Sequence, residues 1–232
     1  MHLVRTYWTL LRLPGAAGFA GAGFVARLPI AMRSVGCVLM VSALTGSFAL
    51  AGAVAGVLTL SQAAIAPIVG RLVDQRGQYR IIMTALPVNI LGTVALALLA
   101  RHEAPVWTLF PAAAVAGVSA LPVGSLVRAR WSAAAAGMPH LSGAYALEGV
   151  ADELIYVAGP MLVTALAVSV NPVAGLLGAL VLYVAGSVDL GGSTASLSLV
   201  IGCANVGFVA TLAGVRAMSR HQREYHIAAM TR

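Results

Sequence analysis

Residues 70–80 read GRLVDQRGQYR, and this charged stretch separates two long apolar segments. No charged residue occurs in residues 49–69 before it or in residues 81–100 after it. Each segment is about 20 residues long, which lets a helix cross the hydrocarbon core of a bilayer at about 1.5 Å per residue. The three arginines of the stretch favour the cytoplasmic side of the membrane. The pattern therefore predicts a short cytoplasmic hairpin loop between two membrane spans.

The composition of the chain excludes an ordinary soluble domain. Of the 232 residues, 60% are hydrophobic and only 9% are charged, which leaves too little polar surface for a soluble protein. We therefore expect an all-α polytopic membrane protein. The formal net charge is +7, and every basic side chain is an arginine. Because these arginines fall mainly at the ends of apolar segments, they indicate contact with the lipid bilayer and not with nucleic acid.

The charge pattern predicts six spans and a cytoplasmic N-terminus. After an interfacial segment at residues 1–14, apolar stretches occur at about residues 18–41, 48–69, 81–100, 106–127, 142–168 and 172–188. The loops predicted outside contain one arginine, Arg101. The loops predicted inside contain seven, namely Arg5, Arg12, Arg71, Arg76, Arg80, Arg128 and Arg130. By the positive-inside rule this bias predicts a multi-pass protein of the plasma (inner) membrane.

The end of the chain does not fit this alternation. Residues 15–190 are expected to form the six-span domain, and residues 191–232 follow it. Within them, residues 195–214 carry no charge and are long enough for a seventh span. A seventh span would place the arginine-rich tail outside the cell, against the positive-inside rule. The sequence alone leaves the placement of this segment open.

The stretch at residues 70–80 resembles the loop between helices two and three of the major facilitator superfamily of secondary transporters. The residues that carry the resemblance are Gly70, Asp74, Gly77 and Arg80. In that family the glycine lets neighbouring helices approach, while the aspartate anchors the helix end and pairs with basic residues of the loop. Gln75 and Gln78 stand where the family usually has basic residues, which weakens the electrostatic part of the motif.

The resemblance implies a secondary active transporter of a small solute, driven by a proton or solute gradient. Six helices in two groups of three are what one half of such a transporter looks like, and a complete one has about twelve. An N-terminal half could act as a homodimer or with a partner half. The alternatives are a non-transporting membrane scaffold and a truncated remnant. No enzyme motif is recognised, and Cys37 and Cys203 lie in apolar runs, so we expect no enzyme, cofactor or metal site.

Charged residues inside the predicted spans are the candidates for a substrate or proton site, since such charges are costly in a membrane. At about 1.5 Å per residue, Arg27 on span one lies roughly 15 Å deep, and Asp152 and Glu153 on span five lie at roughly 13–15 Å. Glu148 shares a helix face with Asp152. The matching depths predict that Arg27 pairs with Asp152 or Glu153. The pair could serve transport, or it could only hold the helices together.

Two further features of the spans stand out. Gly159 and Pro160 resemble the Gly-Pro core of a span-five motif of antiporters in the superfamily, which is a hint of export. Proline removes a backbone hydrogen bond and glycine lets a helix bend, so this pair is expected to act as a hinge. Arg33 points about 120° away from Arg27 around span one. The sequence assigns no role to Arg33.

Overall fold

A computed structural model describes residues 7–8, 10–134 and 141–191. Within these ranges the chain is helical and contains no β-strand. A short 3-10 turn, Val106–Thr108, precedes the fourth helix. The α-helices are α1 (Ala16–Thr45), α2 (Phe48–Arg76), α3 (Gln78–Arg101), α4 (Leu109–Val118), α5 (Val123–Ala134), α6 (Leu141–Ser169) and α7 (Pro172–Gly191).

Five segments of the described residues are long and apolar enough to cross a membrane. They are Ala16–Thr45, Phe48–Arg76, Gln78–Arg101, Val106–Ala134 and Leu141–Ser169, called here the first to fifth spans. The predicted sixth span corresponds to a shorter apolar helix, Pro172–Val188. The prediction of an all-α fold is confirmed for the described residues, and five helical segments have the length and apolarity that a membrane span needs. The predicted seventh span and basic tail lie outside the described residues, as do residues 1–6 and 9 of the N-terminal segment.

The helix boundaries differ from the predicted ones at two places. Residues 70–80 were predicted to be a loop, but α2 continues to Arg76 and α3 begins at Gln78, so the turn is Gly77 alone. Its φ of 84° lies in the left-handed region that glycine adopts without strain. The fourth span was predicted to end near residue 127, but it extends to Ala134 and is interrupted between α4 and α5.

Short polar residues set several helix ends. The Ser47 hydroxyl accepts a hydrogen bond from the Leu50 N–H at 3.2 Å and so caps the N-terminus of α2. Asn171 does the same for α7, where its Oδ1 accepts from the Val173 and Ala174 N–H groups at 2.9 and 2.8 Å. Pro172 at the first helical position suits this cap, because its missing N–H would have no helical partner. These caps produce tight connections between antiparallel helices.

The helix α1 lies at the centre of the bundle. It packs most extensively on α7 and also against α6, α2 and α5, while α4 packs on α2 and α3. Small residues allow the closest approaches, as is usual between membrane helices. A Cβ atom at Gly92 of α3 would lie 2.7 Å from the backbone nitrogen of Ala116 in α4. Most of α1 is buried, whereas α2 and α6 expose most of their length. The exposed surface of these two helices is called here the open face.

Candidate functional site

Arg27 of α1 binds two carboxylates of α6. Its Nη2 lies 2.5 Å from Glu148 Oε2, and its Nη1 lies 2.8 Å from Asp152 Oδ1. The two acids are four residues apart and therefore project from one face of α6 toward α1. The expected contact between Arg27 and Asp152 is present, and Glu148 joins it. The third guanidinium nitrogen, Nε, donates to the Gly23 carbonyl at 3.1 Å and fixes the side chain against its own helix.

The helix α5 supplies a second set of partners to the same acids. Trp131 Nε1 donates to Glu148 Oε1 at 2.7 Å, and Arg128 Nη2 lies 3.1 Å from Asp152 Oδ2. The sequence interpretation missed Arg128 and Trp131 because it assigned both to a loop. Their spacing of three residues would have placed them on one face of a helix, had the span been extended. The resulting network of two arginines, two carboxylates and one indole joins three helices.

Burial decreases steadily across this network. The side chains of Arg27 and Glu148 are only 3% and 2% exposed, that of Asp152 is 29% exposed and that of Arg128 is 54% exposed. Two positive and two negative groups balance in charge. Burying an ion costs several kcal/mol unless it is paired and hydrogen-bonded. The inner pair is in ionic contact, and its two members form their hydrogen bonds with other groups: Arg27 donates to Gly23 and Asp152, and Glu148 accepts from Trp131. Asp152 is therefore the acid of this network that an incoming proton or cation can reach.

Glu153 does not enter the network. It is exposed on α6 and has no ion-pair partner among the residues that the structure describes. Consecutive residues of a helix point about 100° apart, so Glu153 faces away from Arg27 while Asp152 faces toward it. Of the three acids predicted as candidates, the structure brings Glu148 and Asp152 together with Arg27 and leaves Glu153 on the open face.

A cavity of about 490 Å³ lies between α1, α2, α6 and the interruption of the fourth span. Its volume is in the range typical of small-molecule sites. Most of its lining is apolar, and its hydrogen-bonding side chains are Ser34, Thr59, Gln62 and Tyr156. Tyr156 is one helical turn beyond Asp152 on α6, which places the ion network next to the cavity.

The predicted hinge residues lie where α6 meets α1 at the edge of this cavity. The helix α6 continues through Gly159 and Pro160 from Leu141 to Ser169. A Cβ atom at Gly159 would lie 2.7 Å from the Cβ of Ala31, so this glycine allows α6 to approach α1. Pro160 lines the cavity. The structure thus gives both residues a packing position, and hinge motion stays a prediction.

The residues of the loop motif lie at an exposed pair of helix ends. Gly70 and Asp74 belong to α2 and Arg80 to α3, and Asp74 forms no ion pair within the described part of the chain. A Cβ atom at Gly70 would meet no atom within 4 Å, so no close helix approach occurs there. Because α2 extends to Arg76, Asp74 projects from a helix instead of folding back on a loop. The pairing that the resemblance implied is not seen among these residues.

Comparison of the chain with protein-family models, with curated proteins and with solved structures gave no match. The site is therefore interpreted from its own chemistry. A carboxylate shared by two arginines loses both attractions when it gains a proton or binds another cation. At Asp152 such an event would loosen α6 from α1 and α5 at the edge of the cavity. The arrangement can thus couple a change of charge to a movement of helices.

Proposed function

We propose that the chain is the N-terminal half of a secondary active transporter of the major facilitator superfamily and moves a small solute by alternating access. The observation that carries the proposal is the Arg27–Asp152 ion network next to the cavity. Ionisable groups within membrane spans are costly, and they recur where proteins carry ions, protons or polar substrates. The side chain of Asp152 is 29% exposed, which leaves this acid of the network open to an incoming proton.

The packing of the helices supports the same proposal. Two inverted repeats of three helices make up each half of a major facilitator transporter. In this chain the first span packs on the fifth span and on α7, and α4 of the fourth span packs on the second and third. The first helix of each group of three thus contacts the second and third helices of the other group. Such reciprocal packing is expected when two three-helix repeats are related by a two-fold axis.

In the proposed mechanism the solute binds in the cavity and a proton binds at Asp152. Ser34, Thr59, Gln62 and Tyr156 can provide hydrogen bonds, and apolar side chains form the rest of the lining. Protonation of Asp152 weakens its ion pairs with Arg27 and Arg128. The contacts of Glu148 with Arg27 and Trp131 remain, so α6 keeps one attachment to α1 and one to α5 and loses the two attachments at Asp152. Charge at one residue thereby biases the bundle between two packings.

The proposed protein lies in the plasma membrane with its N-terminus and the Gly77 turn in the cytoplasm, as the arginine bias requires. The open face of α2 and α6 is then covered by a partner half or by a second copy of the chain. The position of Glu153 on this face supports such a partner, because a carboxylate that faced lipid at this depth would cost free energy. Water or protein at this face removes that cost.

Reconstitution of the purified chain in liposomes tests the proposal. The probes are mixtures of sugars, amino acids, organic acids and amphipathic dyes, offered with an imposed proton gradient and analysed by mass spectrometry. We expect at least one probe class to accumulate with the native chain and with Ser132→Ala, a control on the exposed face of α5. Asp152→Asn should abolish accumulation. Uptake equal to that of protein-free liposomes for all classes would refute transport by this chain alone.

A further inference from the structure

The fourth span is broken near its middle. The helix α4 ends at Val118, α5 begins at Val123, and residues 119–122 between them are not helical. Pro122 contributes to the break, because proline has no N–H to donate to the Val118 carbonyl four residues earlier. Proline alone is not sufficient, since Pro29, Pro67, Pro87 and Pro160 lie within continuous helices. In a membrane such a break leaves backbone groups that water cannot satisfy. The surrounding helices must therefore supply their hydrogen-bond partners.

Several backbone groups lose their helical partners at this break, and two of them have well-defined new contacts. The Ala120 N–H donates to the Gly117 carbonyl at 3.0 Å, so it no longer serves the Ala116 carbonyl four residues before it. The Leu121 N–H likewise turns away from the Gly117 carbonyl and donates elsewhere. The Ala116 carbonyl and the Leu121 N–H are thus one acceptor and one donor that the break releases.

Side chains from three other helices satisfy both released groups. Arg33 Nη2 of α1 and Asn89 Nδ2 of α3 donate to the Ala116 carbonyl at 2.7 and 2.8 Å. The Tyr183 hydroxyl of α7 accepts from the Leu121 N–H at 2.7 Å. The guanidinium of Arg33 also lies 5.9 Å from the centre of the Tyr183 ring, within cation–π range. All three side chains are buried.

Arg33 differs from Arg27 in how its charge is balanced. It forms no ion pair with any acid in residues 10–134 or 141–191, although it is as buried as Arg27. Instead its guanidinium contacts the C-terminal end of α4, where the helix dipole carries a partial negative charge. An arginine placed this way stabilises the end of a helix and so disfavours a continuous one.

We propose that Arg33, Asn89 and Tyr183 form a polar clamp that holds the fourth span broken at residues 119–122. The clamp positions one wall of the cavity, since Ala120 and Pro122 line it and both belong to the broken segment. The three side chains are positioning residues and do not themselves line the cavity. This inference stands on the backbone contacts and does not depend on transport.

Removing the break should make the clamp unnecessary, which gives a direct test on the full chain purified in detergent. Pro122→Ala restores an N–H and lets Ala116 and Leu121 regain helical partners. Tyr183→Phe removes only the hydroxyl and keeps the ring. We expect Tyr183→Phe to lower the midpoint of thermal unfolding by about 2–4 °C in the native background, the shift of one lost hydrogen bond in a chain of this size. In the Pro122→Ala background the same change should have no effect. Tyr145→Phe, at an exposed tyrosine of α6, is the matched control and should be silent in both.

Hydrogen–deuterium exchange of the peptide covering residues 117–124 locates the effect. Tyr183→Phe should speed exchange there at least about tenfold, the factor for one lost hydrogen bond of about 1.4 kcal/mol, and Pro122→Ala should reverse this. Arg33→Lys keeps a hydrogen-bond donor and the positive charge. It should therefore lower the midpoint of thermal unfolding less than Arg33→Leu does. Equal loss from Tyr183→Phe in both backgrounds, or unchanged exchange of this peptide, overturns the clamp. If Arg33→Leu does not fold, the comparison of Tyr183→Phe in the native and Pro122→Ala backgrounds still tests the clamp.

Discussion

Arg27 and Asp152 are 125 residues apart in the chain, yet their side chains meet at 2.8 Å. The contact joins the first and fifth spans, which both line the cavity. Glu148 adds a second, deeper contact between the same helices. Arg27 therefore binds one acid that solvent can reach, Asp152, and one that solvent cannot reach, Glu148. These two pairs are expected to respond differently when they are broken.

Removing one member of the inner pair, Arg27 or Glu148, should harm folding more than removing both. Arg27→Met leaves the buried Glu148 without its counter-ion, which costs about 3–5 kcal/mol, so we expect most of the folded protein to be lost. Replacing a whole buried ion pair by apolar residues of similar size is often neutral, so Arg27→Met with Glu148→Met should recover folded protein. Size-exclusion profiles of detergent extracts measure this recovery. A double variant as aggregated as the single one would contradict the expectation.

The outer pair should contribute little to stability. Arg128 is 54% exposed, and exposed ion pairs are typically worth less than about 1 kcal/mol. We therefore expect Arg128→Gln to shift the midpoint of thermal unfolding by no more than about 4 °C in a chain of this size. Arg27→Met in the same assay provides the contrast. A loss from Arg128→Gln as large as that from Arg27→Met would mean that Asp152 depends on both arginines for folding.

The sequence predicted that Arg27 contacts Asp152 or Glu153, because depth in a membrane can be counted at a fixed rise per residue. Depth could not choose between these adjacent acids, and the structure shows Asp152 in contact. The sequence interpretation missed Arg128 and Trp131 because hydropathy ends a span at the first cluster of arginines. Inside a bundle, however, a helix can continue past such a cluster when its polar groups find partners, as these two do. Hydropathy also could not place the clamp at Arg33, since its partners are backbone groups exposed only by the break at Pro122.

The topology of the chain can be tested at both ends of α3. Gln75 lies next to the Gly77 turn and His102 lies just after α3, and both are exposed. In a background without Cys37 and Cys203, single cysteines at these two positions should report opposite sides of the membrane. We expect an impermeant thiol reagent added to whole cells to label position 102 and to spare position 75. The reverse pattern would invert the proposed orientation.

A substitution of Asp74 tests whether the loop motif matters for transport or only for folding. The Asp74 side chain is exposed on α2 and forms no ion pair within the described part of the chain, so Asp74→Asn should leave folding and insertion unchanged. If the resemblance to the transporter family reflects function, the same change should slow solute uptake in liposomes at least about tenfold, which is about 1.4 kcal/mol. Gln75→Ala, at the neighbouring exposed residue, is the matched control and should keep full uptake. Equal uptake by Asp74→Asn and the native chain would remove the motif from the argument for transport, while the test of Asp152 would stand by itself.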